Sequence, residues 1–65
     1  MQKRINRTPA QEAEYLNTSI RTLARWRNQG MGPAYVRAGG KVLYPSDLTE
    51  EWLERKTVEP VREAG

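Results

Sequence analysis

"SIRTLARWRNQG", Ser19 to Gly30, decides how this chain is read. Ser19 is a good N-cap, because its side-chain oxygen can take an unpaired amide of a first helical turn. Gly30 supplies the left-handed conformation that follows a helix end. The spacing predicts a helix over Ile20–Gln29. On a wheel of about 100° per residue, Ile20, Leu23, Ala24 and Arg27 fall on one side, with Trp26 at its edge. Arg21, Thr22, Arg25, Asn28 and Gln29 fall on the other. That polar face holds donors and no acid, whereas a solvated face commonly mixes acids among its arginines. Arg can bind guanine bidentately, Asn can read adenine, and Thr can touch a base edge or a phosphate. Ser19 and the amides beside it suit a phosphate. On this helix alone two readings stand, a DNA-facing surface and a solvated one.

Upstream, "TPAQEAEYL" carries a helix start: Thr8 caps, Pro9 takes the first helical position, and Gln11 completes a capping box. This predicts a short helix over about 9–16. Asn17 and Thr18 break it, so two helices are joined by a tight turn, which is the helix-turn-helix layout. Downstream, "GMGPAYV" is loop. "YVRAGGKVLY" reads as a hairpin, with strands over Tyr35–Arg37 and Val42–Tyr44 around Gly39-Gly40. Two strands alone are unstable in water, so the hairpin must lean on the helices. Arg37 and Lys41 flank its tip; they read either as a basic finger for a DNA groove or as solubilising charges on an exposed turn.

"SDLTEEWLERK" is a third helix over about 46–56, capped by Ser46 or a neighbour, with Leu48, Trp52 and Leu53 on its inner side. Residues 1–7 read as a basic flexible arm, 8–56 as the domain, and 57–65 as a disordered tail. A chain without Phe must build its core from its other aromatics, so Trp26 and Trp52 are read as core rather than as base-stacking groups.

Composition limits the chemistry. The chain has 65 residues, one domain's worth, with no Cys and no His. Disulfides, Ser-His and Cys catalysis and zinc-finger metal sites are therefore not expected. The carboxylates of the third helix read as a solvated face, and no glycine loop precedes a helix to cradle phosphate. The expectation is a protein that is not an enzyme, with no cofactor and no metal. No apolar stretch or leader-like N-terminus appears, so no membrane role is expected and the chain is assigned to the cytoplasm. Charge is uneven. Lys3, Arg4, Arg7, Arg21, Arg25, Arg27, Arg37 and Lys41 face only Glu12 and Glu14 in residues 1–44, a net of +6, while residues 45–65 carry a net of −3. A basic front and an acidic back suit a polyanion on one side.

With these pieces placed, the chain resembles the excisionase-type, MerR-like winged helix-turn-helix family of small phage and bacterial DNA-binding proteins. The resemblance runs from about Thr8 to Leu53 and rests on "TPAQEAEYL", "SIRTLARWRNQG", "YVRAGGKVLY" and "SDLTEEWL" in that order. It implies a mostly α fold, three short helices with a two-stranded wing. It implies that the Ile20–Gln29 helix enters the major groove and that the wing, Arg37 to Lys41, meets the adjacent minor groove or backbone. It further implies a recombination directionality factor: a non-catalytic protein that binds repeated sites in double-stranded attachment DNA, often cooperatively between protomers, bends it, and directs a phage integrase towards excision. Ile20 stands where many relatives carry a polar residue, so no contact is carried onto it. MerR regulators continue into a long dimerisation helix, whereas this chain ends soon after its third, which argues against a ligand-sensing regulator. The expected DNA contacts are Ser19, Arg21, Thr22, Arg25, Asn28, Arg37 and Lys41, with Arg7 and the Lys3–Arg7 arm adding non-specific attraction. The alternatives are a small prophage transcriptional regulator of the same fold, and a protein-interaction module gripping its partner through Trp52 or the acidic third helix.

Overall fold

A computed structural model describes residues 4–60. The elements run β1 (Asn6–Arg7), α1 (Pro9–Tyr15), α2 (Ile20–Asn28), β2 (Val36–Ala38), β3 (Lys41–Pro45) and α3 (Ser46–Lys56). α1 and α2 stand where the capping and closing signals put them, and α3 occupies the span expected for it. α1 opens with the capping box: the Gln11 amide donates to Thr8 Oγ1 at 3.2 Å and the Thr8 amide to Gln11 Oε1 at 2.9 Å.

Both helices of the pair close the same way. After α1, Thr18 N–H donates to the Ala13 carbonyl (2.8 Å) and Asn17 N–H to that of Glu14 (3.1 Å), with Asn17 at φ 58°. After α2, Met31 N–H donates to Trp26 (2.7 Å) and Gly30 N–H to Arg27 (3.2 Å). These are two Schellman closures. The first sets the sharp turn from α1 into α2. The hairpin turns on Gly39 and Gly40, both at positive φ, which is the two-residue turn whose twist matches that of its strands. Its register pairs Val36 with Leu43, Arg37 with Val42 and Ala38 with Lys41.

The sheet has a third strand, which corrects the expectation of a two-stranded wing. β1 pairs antiparallel with β3, Asn6 opposite Pro45 and Arg7 opposite Tyr44, giving the order β1-β3-β2. The expected arm over 1–7 is likewise divided. Residues 1–3 lie outside the described part, but Arg4 to Arg7 are tied down. The Ile5 amide donates to Ser46 Oγ at 2.9 Å and the Ser46 amide to the Ile5 carbonyl at 2.7 Å. Ser46 therefore holds β1 and does not cap α3, whose N-cap is Pro45, without a side-chain cap bond. Arg4 grips Asp47 through two donors, at 3.0 and 3.2 Å. Residues 57–60 follow α3 without regular structure, and 61–65, the rest of the expected tail, lie outside the described part.

The apolar core is small: Ala13, Leu23 and Tyr44, with Leu16, Trp26, Tyr35 and Val42 packed against it. Beside it a carboxylate is buried. Glu12 is 0% exposed; it accepts Arg7 Nη1 at 3.0 Å and Thr49 Oγ1 at 2.6 Å. One side chain thus joins β1, α1 and α3. Trp26 and Trp52, expected in the core, are only half buried. Their rings touch at the rim, centroids 5.9 Å apart. Gly32, at φ +86°, lies against Trp26: a Cβ there would meet Trp26 Cβ at 3.1 Å and Cε3 at 3.2 Å.

Removing one partner of a buried ion pair leaves the other uncompensated, at roughly 3–5 kcal/mol. Glu12→Ala is therefore expected to lose about that much in urea unfolding, much of the stability of a domain this size; a loss below about 1 kcal/mol, ordinary for surface changes, would show that the pair is not the link described. The exposed Arg4–Asp47 pair behaves differently. Arg4 holds the Asp47 carboxyl below its ordinary range by direct hydrogen bonding. Its stabilisation is present above the unfolded carboxyl value and fades as pH falls through the lower folded one. Urea midpoints of Asp47→Asn should lie below wild type at neutral pH and converge with it towards the acid end.

Candidate nucleic-acid interface

Leu23, fully buried, anchors α2 and sets which face looks outward. Arg21, Arg25 and Asn28 are exposed. They recur at i, i+4 and i+7 and so share about 60° of the helix circumference. Ile20, placed by the wheel with Leu23, is 52% exposed beside Arg21. Arg27 points the other way. Its Nη1 donates to Tyr44 Oη at 3.0 Å, and its guanidinium lies 5.8 Å from the Tyr35 ring centroid.

Ser19 and Thr22 form one unit. Ser19 Oγ accepts the Thr22 amide at 3.0 Å and donates to Thr22 Oγ1 at 2.9 Å. The Ser19 hydroxyl is therefore committed to the cap, while Thr22 keeps its own hydroxyl proton to give. On the hairpin Arg37 and Lys41 are both exposed. Arg37 pairs with Val42 and so shares its face, while Lys41 precedes Val42 on β3 and so faces the other way. The two cations therefore stand on opposite faces of the wing.

Arg7 does not join this surface. Its side chain is only 14% exposed, bonded to Glu12, and its guanidinium lies 3.8 Å from the Tyr15 ring centroid. The reason is the pairing of β1 with β3, which carries Arg7 in over α1. Tyr15 in turn donates to Glu50 on α3, and that hydrogen bond pushes the Tyr15 hydroxyl pKa up.

Between Glu14 and Asp47 the sequence holds no acid, yet it holds Arg21, Arg25, Arg27, Arg37 and Lys41. Among the described residues none of these five makes a salt bridge. The acids are elsewhere: Glu12 inside, Glu14 on the outside of α1, Asp47, Glu50, Glu51 and Glu54 together on α3, and Glu59 beyond it. Charge is thus sorted in space as well as along the chain, with α2 and the wing wholly cationic. No helix among the described residues is long and apolar enough to cross a membrane.

The family model for the helix-turn-helix domain matches residues 8–57. The chain belongs to the helix-turn-helix domain family. No curated protein matches it, and no solved structure does. In this helix-turn-helix protein the matched span opens at the Thr8 cap and closes just after α3, so it takes in both helices of the motif, the wing and the helix that braces them. Three helices with a three-stranded antiparallel sheet are consistent with a helix-turn-helix carrying a wing, and the family supports DNA as the partner.

The bond from Arg27 to Tyr44 makes Arg27 a bracing residue. Arg27→Ala should lower stability by about 1.5–3 kcal/mol, the range for a hydrogen bond made by a charged group. A urea midpoint unchanged from wild type would return Arg27 to the outward-facing set.

Proposed function

We propose that this protein is a sequence-specific, DNA-bending excisionase that directs a phage or mobile-element integrase towards excision and has no catalytic activity of its own. α2 lies in the major groove. Arg21, Thr22 and Arg25 read bases or anchor phosphates, and Asn28 assists. Arg37 and Lys41 stand on opposite faces of the wing, so one turns to each wall of a narrow groove or to the backbone on each side of it. The amides behind the Ser19 cap suit a phosphate. The protein works in the cytoplasm of a bacterial host, on repeated sites in attachment DNA, with protomers in contact along it.

The observation that carries the DNA reading is the acid-free span from Tyr15 to Ser46, whose exposed cations all stand on α2 and the wing. Phosphate neutralisation of this kind gives affinity, and the Arg and Asn stripe gives base choice. The excisionase reading rests on the order and spacing of the four matching segments, and on a family that includes excisionase-like small DNA-binding proteins. A fold of this kind also serves transcriptional regulators, so the decisive experiment is in vitro excision with integrase, with and without the protein. A requirement for the protein in excision supports the proposal. A protein that changes only transcript levels is a regulator, and one that fails to shift DNA at about 50 mM salt, where phosphate-driven binding is strong, is an interaction module.

Two substitutions separate base reading from phosphate anchoring. Arg25→Ala should cost about 1–3 kcal/mol and relax choice at one position of the site. Lys41→Ala should weaken all sequences alike and flatten the salt dependence by about one counterion. Competition gel shifts over a salt series check both, and unchanged sequence choice in Arg25→Ala would remove Arg25 from the reading set.

A further inference from the structure

Trp26 and Trp52 meet at the edge of a groove of about 750 Å³. Its apolar walls are the two indoles and Met31, which is 55% exposed; the Gly30–Gly32 turn forms another side. The ionisable groups that line it are both cations, Arg55 and Lys56, at the C-terminal end of α3. Arg55 comes within 4.0 Å of Glu51, but both are mostly exposed, and such a pair is weak and easily exchanged. The groove is therefore apolar at its centre and positive on one rim.

That pattern fits a protein segment better than a nucleic acid. The indoles are tilted 44° to each other and in mutual contact, which leaves no parallel slot for a base. Exposed Met beside Trp is adaptable apolar surface suited to another protein's side chains. Trp26 stands about 130° around α2 from the middle of the Arg21–Arg25–Asn28 stripe, so the groove stays open when that stripe is covered. We infer that this groove docks an acidic amphipathic segment of another protein, one or two large aliphatic side chains resting on the indoles and carboxylates meeting Arg55 and Lys56. The inference does not depend on the excisionase reading, since it concerns a different face of α2.

Trp26 and Trp52 are the chain's two tryptophans, so the site carries its own reporter. The full chain is titrated with a capped synthetic helix-forming peptide of Glu and Leu, its leucines three and four apart, and with the same peptide carrying Lys for Glu. The expected result is a saturable blue shift with the acidic peptide, stronger at low salt and absent with the basic one. Arg55→Glu/Lys56→Glu should weaken it about tenfold, as expected for rim charges, with the thermal melt and DNA gel shift unchanged. Met31→Asp should weaken it through the apolar wall instead. Equal response to both peptides, or to neither, overturns the inference. So does a concentration-dependent emission change with dimers in sedimentation, which would seat a second copy in the groove. A shift produced by an oligonucleotide and lost in Arg55→Glu/Lys56→Glu would assign the groove to DNA.

Discussion

Glu12 carries a carboxylate into the middle of a domain whose apolar core is Ala13, Leu23, Tyr44 and a few half-buried neighbours. A chain this short buries only about 60% of its unfolded surface, and an acid at its centre is costly unless fully paired. Here it is paired from two sides, by Arg7 on β1 and Thr49 on α3. A buried ion pair is weak evidence for stability in itself, and its best attested use is to fix register. That use fits this fold. β1 is two residues long, too short for its ladder to specify which residues oppose β3. Arg7 reaching Glu12 selects the alignment that sets Asn6 against Pro45 and leaves Ser46 and Asp47 to hold Ile5 and Arg4.

The same pairing shapes the outer surface. Two of the basic residues in the N-terminal half meet acids through β1: Arg7 with Glu12, inside, and Arg4 with Asp47, outside. Among the described residues of that half, the basic groups without an acid partner all stand on α2 and the hairpin. The cationic character of that surface therefore arises from where the acids are placed as much as from where the arginines are. Glu12 is buried, Glu14 stands on α1, and four of the exposed acids ride on α3, so α2 and the hairpin carry no acid beside Arg21, Arg25, Arg37 and Lys41. A polyanion approaching from that side meets a field of one sign.

The helices and the hairpin were legible in the sequence because their signals are local. Thr8, Pro9 and Gln11 start α1, Asn17 and Gly30 close the two helices of the motif, and Gly39-Gly40 turns the wing; each works within a few residues. β1 was not legible. Asn6–Arg7 has neither the length nor the alternation of a strand, and it becomes one only because β3 offers a free edge and Glu12 waits beneath Arg7. Arg7 read as part of a basic arm and Glu12 only as one charge in the balance, since nothing within four residues says that one will be buried and the other drawn in after it. Ser46 shows the same limit: a good cap by local rule, it answers instead to the Ile5 amide 41 residues away. On α2 the wheel set Arg27 apart from Arg21 and Arg25 but named no partner for it, and the structure gives it the Tyr44 hydroxyl.

The tryptophans show how size limits a core. Two indoles are more apolar surface than this core encloses, so Tyr44 and Leu23 fill the centre and Trp26 and Trp52 meet at the edge. Holding Trp26 there needs a neighbour without a Cβ, which Gly32 provides in a backbone conformation other residues rarely adopt. The half-buried pair still contributes to stability, because each ring removes area from water on one face. The other face is left to solvent, bounded by Met31 and the basic end of α3. α2 thus presents two unlike surfaces from nine residues. One is polar, cationic and set outward by Leu23, and the other is aromatic and set at the rim because the core has no room for it.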